Sequence, residues 1–157
     1  MIVRILTNCQ EGFHCTRMTP EELRNQELKI KELWESGEIP SLLHLCGGNE
    51  EWLCRYFKEH VGSSDWIFAS HRCHFTYTLA GHTDLIDQVL MGRSMFLYGP
   101  RFVCSAIVGG VLSIACGKAL GIQLRGGAEK VHCFCGDGAT DQGAFWEAVR
   151  FAEARDL

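Results

Sequence analysis

The sequence predicts an α/β fold, with helices around a mainly parallel sheet, and three features carry that prediction. Residues 107–117 are apolar on nearly every face and rich in small residues, the pattern of a buried helix with another backbone close to it. Lys130-Val131-His132-Cys133-Phe134-Cys135 follows a Gly126-Gly127 turn and is short enough to be a buried strand of a parallel sheet. Gly136-Asp137-Gly138 then leads into a helix marked by Phe145, Ala148, Val149 and Ala152, with Glu147, Arg150 and Glu153 on its charged face. Helix, strand, glycine turn and helix in that order is α/β alternation.

The elements before these read as scaffold. Thr19-Pro20-Glu21-Glu22 predicts a helix start, since Thr19 can cap, Pro20 is preset for the first helical position, and Glu22 can complete a capping box. Leu23, Ile30, Leu33 and Trp34 recur on one face of that helix until Gly37 ends it. A second helix is predicted after Asn49, with Leu53, Tyr56, Phe57 and Val61 inward and Gly62 closing it. Trp66-Ile67-Phe68 reads as an extended piece, and Thr83-Asp84 can cap a third helix that turns Leu85, Ile86, Val89 and Leu90 inward.

Composition narrows the function classes. Of 157 residues, 46% are hydrophobic and 22% charged, which is globular rather than disordered or coiled-coil. The net charge is −4, and no basic run offers the footprint of nucleic-acid binding. The longest apolar stretch, Cys104 to Cys116, falls short of the roughly 20 residues that cross a bilayer, so no membrane partner is expected. Nine cysteines, at 9, 15, 46, 54, 73, 104, 116, 133 and 135, form no C-x-x-C pair. That spacing suits neither a disulfide framework nor a zinc ribbon, and reduced thiols in a cytoplasmic, reducing compartment are the expectation. Residues 1–8 lack the long apolar core and cleavage site of a secretory signal.

The strand, Gly136-Asp137-Gly138 turn and helix form the most informative local unit, because ligands of open α/β sheets bind beyond the carboxyl ends of the strands. Glycines there let backbone approach a phosphate, and a carboxylate between them suits a hard divalent cation. Residues 135–148, Cys-Gly-Asp-Gly-Ala-Thr-Asp-Gln-Gly-Ala-Phe-Trp-Glu-Ala, resemble the first half of the thiamine diphosphate motif of alpha subunits of 2-oxo acid and acetoin dehydrogenases. Three upstream segments resemble the same family in the same order: His44-Leu45-Cys46-Gly47-Gly48-Asn49-Glu50, Ser70-His71-Arg72-Cys73-His74, and Ile107-Val108-Gly109-Gly110. Together they cover roughly Glu21 to Leu157.

The resemblance implies a thiamine diphosphate-binding fold and a set of roles. Asp137 would be a ligand of Mg²⁺, joining protein to the cofactor's pyrophosphate, and Arg72 would contact the same pyrophosphate through its planar, permanently charged fork. Gly136, Gly138 and Ala139 would also bind the cofactor, while the backbone around Val108 and Gly110 would lie against the aminopyrimidine. His74 would face the reacting carbon as a proton donor or acceptor, with His71 a second candidate and His44 a weaker one. His14, His60, His82 and His132 have only their residue type to recommend them. The implied partners are a beta subunit, which in the family supplies the glutamate that activates the cofactor, in an alpha–beta hetero-oligomer, and a lipoyl acyl acceptor.

Several positions depart from the family pattern. Phe75 stands where Gly commonly follows the active-site His, Phe96 ends a Gly92-Arg93-Ser94-Met95 run that ends in His in many relatives, and Ser113 replaces a common Pro. Only 20 residues follow Asp137, whereas the family completes the motif further on with an Asn pair. The expectation is thus one domain over residues 1–157, with 1–40 an amino-terminal extension and helix, carboxy-terminally incomplete, with an open sheet edge and a half-built cofactor site. A split transketolase-like subunit transferring a ketol unit, and a degenerate subunit serving only as an interaction module, stay open as alternatives. A nicotinamide-binding domain is disfavoured because no G-x-G-x-x-G follows the strand.

Overall fold

The computed structural model describes residues 2–5 and 18–157; Cys9, His14 and Cys15 lie outside the described residues. Five strands form one sheet: β1 (Ile2–Ile5), β2 (Trp66–Ser70), β3 (Tyr98–Gly99), β4 (Phe102–Ser105) and β5 (Val131–Phe134), in the spatial order β1-β5-β2-β4-β3. The central three, β5, β2 and β4, run parallel, and β1 and β3 flank them antiparallel. The edge of β5, open by the sequence expectation, is paired with β1 in the register Ile2 to Phe134 through Ile5 to Val131.

Six helices accompany the sheet among the described residues: α1 (Pro20–Glu35), α2 (Glu50–His60), α3 (His74–Leu79), α4 (Leu85–Leu90), α5 (Gly110–Leu124) and α6 (Gly143–Ala154). Period-two alternation along the strands divides the sheet's side chains between two cores. Ile67, Ala69, Phe102 and Phe134 point into the core shared with α1 to α4, built on Leu23, Ile30, Phe57 and Leu85. Phe68, Val131 and Cys133 point into the other, shared with α5 and α6 and built on Val111, Leu112, Ala115 and Phe145. The result is a three-layer α/β arrangement with the parallel strands innermost, as the sequence predicts.

Local chemistry accounts for both ends of α1. The Thr19 hydroxyl accepts from the Glu22 amide at 3.2 Å and the Glu22 carboxylate accepts from the Thr19 amide at 2.7 Å, so the predicted capping box is formed. Gly37 follows α1 with φ +81°, a left-handed stop. At α4 the outcome differs: Asp84 occupies the N-cap without a side-chain cap bond, because its carboxylate accepts instead from the Tyr77 hydroxyl and the Gln88 amide, each at 2.8 Å.

The all-apolar look of α5 also resolves differently from expectation. It buries Val111, Leu112, Ala115, Cys116, Ala119 and Ile122 against the sheet and α6, but Ile114 and Leu124 are exposed. Apolar composition marks a helix as able to be covered on all sides; which sides acquire a neighbour is settled by packing. The close backbone approach is real, since the Cys116 sulfur reaches the carbonyl of Ala148 on α6 at 3.4 Å.

Candidate active site

Because β2, β4 and β5 are parallel, their carboxyl ends lie at one edge of the sheet, and each continues into a segment singled out by sequence. β2 runs into His71 and Arg72, β4 into 106–109, and β5 into Cys135, Gly136 and Asp137. A cleft of about 820 Å³ opens over the ends of β2 and β5. His71 and Arg72 line one side and Gly136 and Asp137 another, and Cys46 and Asn49, from the turn before α2, contribute a third wall. This is where ligands of open α/β sheets bind.

The cleft holds opposite charges that are not spent on each other. Arg72 is exposed, as is Asp137, and neither takes part in an ion pair with any described residue. Beside them the His71 ring packs edge-on against His44, with centroids 5.0 Å apart. Burial, the His44 ring and the Arg72 guanidinium all disfavour a second charge there, holding His71 below the ordinary imidazole range. At neutral pH it is therefore an unprotonated ring able to accept a proton at the cleft wall.

His74 is placed differently from the sequence expectation. It is fully buried at the start of α3 and does not line the cleft. Its Nδ1 lies 2.9 and 3.0 Å from the two carboxylate oxygens of Glu27 on α1, and its Nε2 lies 3.0 Å from the Ser94 hydroxyl. A carboxylate accepts and does not donate, so Nδ1 carries a proton toward Glu27. The same carboxylate accepts from the Cys46 amide at 2.5 Å. With both ring nitrogens engaged, His74 ties α1, the start of α3, the Ser94 loop and the Cys46 turn together behind the cleft. Phe75, the departure from the family's Gly, lines the cleft beside it.

Of the residues implied to hold a cofactor, Arg72, Gly136 and Asp137 meet in the cleft, whereas Val108, Gly110, Gly138 and Ala139 do not line it. Val108 is half exposed on the β4 side of the same edge, and Ala139 is the buried residue of the short 3₁₀ turn Asp137–Asp141. Gly109 joins the two sides: its φ is +77°, and a Cβ there would stand 3.3 Å from Cβ of Gln142, next to α6. Sequence reading missed Glu27 and Ser94. Glu27 had a signal, since it falls on the same helical face as Leu23 and Ile30 and puts a carboxylate within an apolar stripe; Ser94 had none. His132, without a sequence-level role, is a satisfied core residue, bonded at 3.0 Å to both the Tyr56 hydroxyl and the Asp65 carboxylate.

The family model of the dehydrogenase E1 component matches residues 18–157. The chain is 29% identical to the human mitochondrial pyruvate dehydrogenase E1 component subunit alpha, somatic form, over 96% of its own length and 41% of the relative's. It is 30% identical to the alpha subunit of the acetoin:2,6-dichlorophenolindophenol oxidoreductase of Bacillus subtilis (strain 168), over 87% of its length and 45% of that protein's. The counterpart from Cupriavidus necator is 28% identical over 86% of this chain and 44% of its own. The chain belongs to the dehydrogenase E1 component family. It spans less than half the length of these relatives.

Proposed function

We propose that this chain is the cofactor-cleft portion of the alpha subunit of a thiamine diphosphate-dependent dehydrogenase. The proposed assembly decarboxylates a 2-oxo acid, passes the acyl group to an acceptor of the lipoyl type, and is completed by a beta subunit. The observation that supports this most is the exposed Arg72 and Asp137 in one cleft, at the carboxyl ends of adjacent parallel strands, without an ion pair between them. That donor set would suit a pyrophosphate with Mg²⁺: Arg72 would offer a planar cation to the phosphate oxygens and Asp137 one carboxylate to a metal that prefers few protein ligands. When bound, thiamine diphosphate supplies the electron sink that decarboxylation requires.

The chain's own residues then divide the remaining work. Arg72 orients the pyrophosphate, Asp137 holds the metal through oxygen, and neutral His71 accepts or returns a proton at the wall of the cleft. His74 acts as a positioning residue, fixing the His71-Arg72 segment through Glu27 and Ser94. Titration of thiamine diphosphate with Mg²⁺ into the alpha–beta assembly tests the site. Asp137→Ala and Arg72→Gln are each expected to weaken binding by about tenfold or more, about 1.4 kcal/mol; unchanged affinity in both refutes it. Failure of the assembly to acylate a lipoyl protein with any 2-oxo acid refutes the acceptor. A non-catalytic subunit is the second reading, favoured by Phe75 in the cleft, and it predicts no cofactor binding by the intact assembly.

A further inference from the structure

Cys73 and Cys104 have no part in the reading above, yet they meet. Cys73 sits at the N-cap of α3, directly after Arg72, and Cys104 sits on β4; their sulfurs are 3.1 Å apart. The contact bridges 31 positions of sequence and lies in the core between the sheet and α1 to α4. Cys104 is held from two further directions, with its sulfur 3.1 Å from the Met95 carbonyl and 3.4 Å from that of Ser70. Cys73 is completely buried and Cys104 partly exposed, so a small oxidant from solvent meets Cys104 first.

We propose that Cys73 and Cys104 form a two-thiol oxidation site for a hydroperoxide, with Cys104 attacked first and Cys73 resolving it to a reversible disulfide. In the first step the Cys104 sulfur attacks one oxygen of the hydroperoxide: an S–O bond forms, the O–O bond breaks, the other oxygen leaves as water or an alcohol with the Cys104 proton, and Cys104 becomes a sulfenic acid. In the second the Cys73 sulfur attacks the Cys104 sulfur, the S–S bond forms, the S–O bond breaks, and water leaves with the Cys73 proton. Two thiols lose two electrons and the hydroperoxide takes them up. The sulfurs need to close by about 1 Å to reach bonding distance.

Proton placement agrees with this division of labour. The Cys73 thiol donates to the Cys104 sulfur, and that bond holds Cys104 below the ordinary thiol range, against the effect of its burial. The same donation, followed by burial, pushes Cys73 upward. The geometry therefore sets the Cys73 thiol directly beside the more accessible Cys104 sulfur, in position to resolve it. The disulfide would fasten the segment carrying His71 and Arg72 to the strand leading into 106–109, so oxidation would fix the cleft edge in one arrangement. The site itself stands independently of what the cleft binds.

Peptide mapping of the protein in its native assembly decides the matter. After exposure to hydrogen peroxide in molar excess and alkylation in denaturant, the expected product is one cross-linked pair joining Cys73 to Cys104, two hydrogens lighter than the reduced peptides and restored by dithiothreitol. In Cys73→Ser, Cys104 is expected to stop at sulfenic acid, captured by dimedone, without a cross-link. The proposal is overturned if both wild-type thiols still alkylate, if Cys104 passes to sulfinic acid unlinked, or if either cysteine pairs elsewhere. The wild-type map needs no variant, so a misfolded mutant leaves the test intact.

Discussion

At the scale of single residues, two neighbouring histidines have different surroundings, one lining the cleft and the other buried behind it. His71 and His74 lie three residues apart, but only His71 reaches the cleft, because the chain enters α3 at His74 and turns that side chain inward onto Glu27. His71 is expected to titrate with a midpoint below 6.5, since burial first, then His44 and Arg72, oppose its protonated form. Resolved imidazole signals followed by NMR across pH check this. His44→Ala should move the midpoint upward while leaving it below 6.5, and a wild-type midpoint at or above 6.5 refutes the electrostatic account. The resemblance of Ser70-His71-Arg72-Cys73-His74 to the family's active-site segment nominated both histidines. Which one faces solvent was not legible, because it depends on a carboxylate 47 positions away.

At the scale of elements, the segments with local instructions were readable and those imposed by packing were not. α1 carries its own cap and stop. α3, by contrast, is His-Phe-Thr-Tyr-Thr-Leu, a run whose aromatic and β-branched residues favour a strand by local preference. It is helical because all six side chains are buried among α1, α2 and the sheet, with the Thr76 hydroxyl returned to the Cys73 carbonyl at 2.9 Å and that of Thr78 bonded to Gln26 at 2.8 Å. α5 supplies an internal comparison. Gly109→Ala should cost about 1–2 kcal/mol, because φ is left-handed there and Gln142 is close. Gly117→Ala, in the helix interior with open space where its Cβ would stand, should gain about 0.5–1 kcal/mol. Urea midpoints of opposite sign are the expected result, and equal responses refute the claim that Gly109 is held by conformation.

At the scale of the whole molecule, one buried polar chain links a helix, a loop and the sheet. Tyr56 on α2 meets His132 on β5, His132 meets Asp65, and the Asp65 carboxylate also accepts from the Lys130 and Gly62 amides at 2.8 and 2.7 Å. Burial pushes the Asp65 carboxyl up, but the His132 bond and the two amides outweigh it and hold it below the ordinary value of 3.8. A depressed carboxyl stabilises the fold fully above its unfolded value and loses that contribution as pH falls through the folded one. Stability should therefore decline as pH drops below 3.8. Asp65→Asn should flatten that decline and cost about 1.5–3 kcal/mol at neutral pH, measured by urea unfolding; an unchanged acid limb refutes the linkage. By itself the sequence determined the α/β class, the ends of α1 and the strand-turn-helix unit around Asp137, because capping, periodicity and short motifs are local properties; the segment with Arg72 was singled out by its resemblance to the family. Only the tertiary structure decided that β1 covers the edge of β5, that His74 is withdrawn behind the cleft, and that Cys73 touches Cys104. Each of those depends on which distant segments pack together, and parallel strands bring such segments to one edge from widely separated parts of the chain.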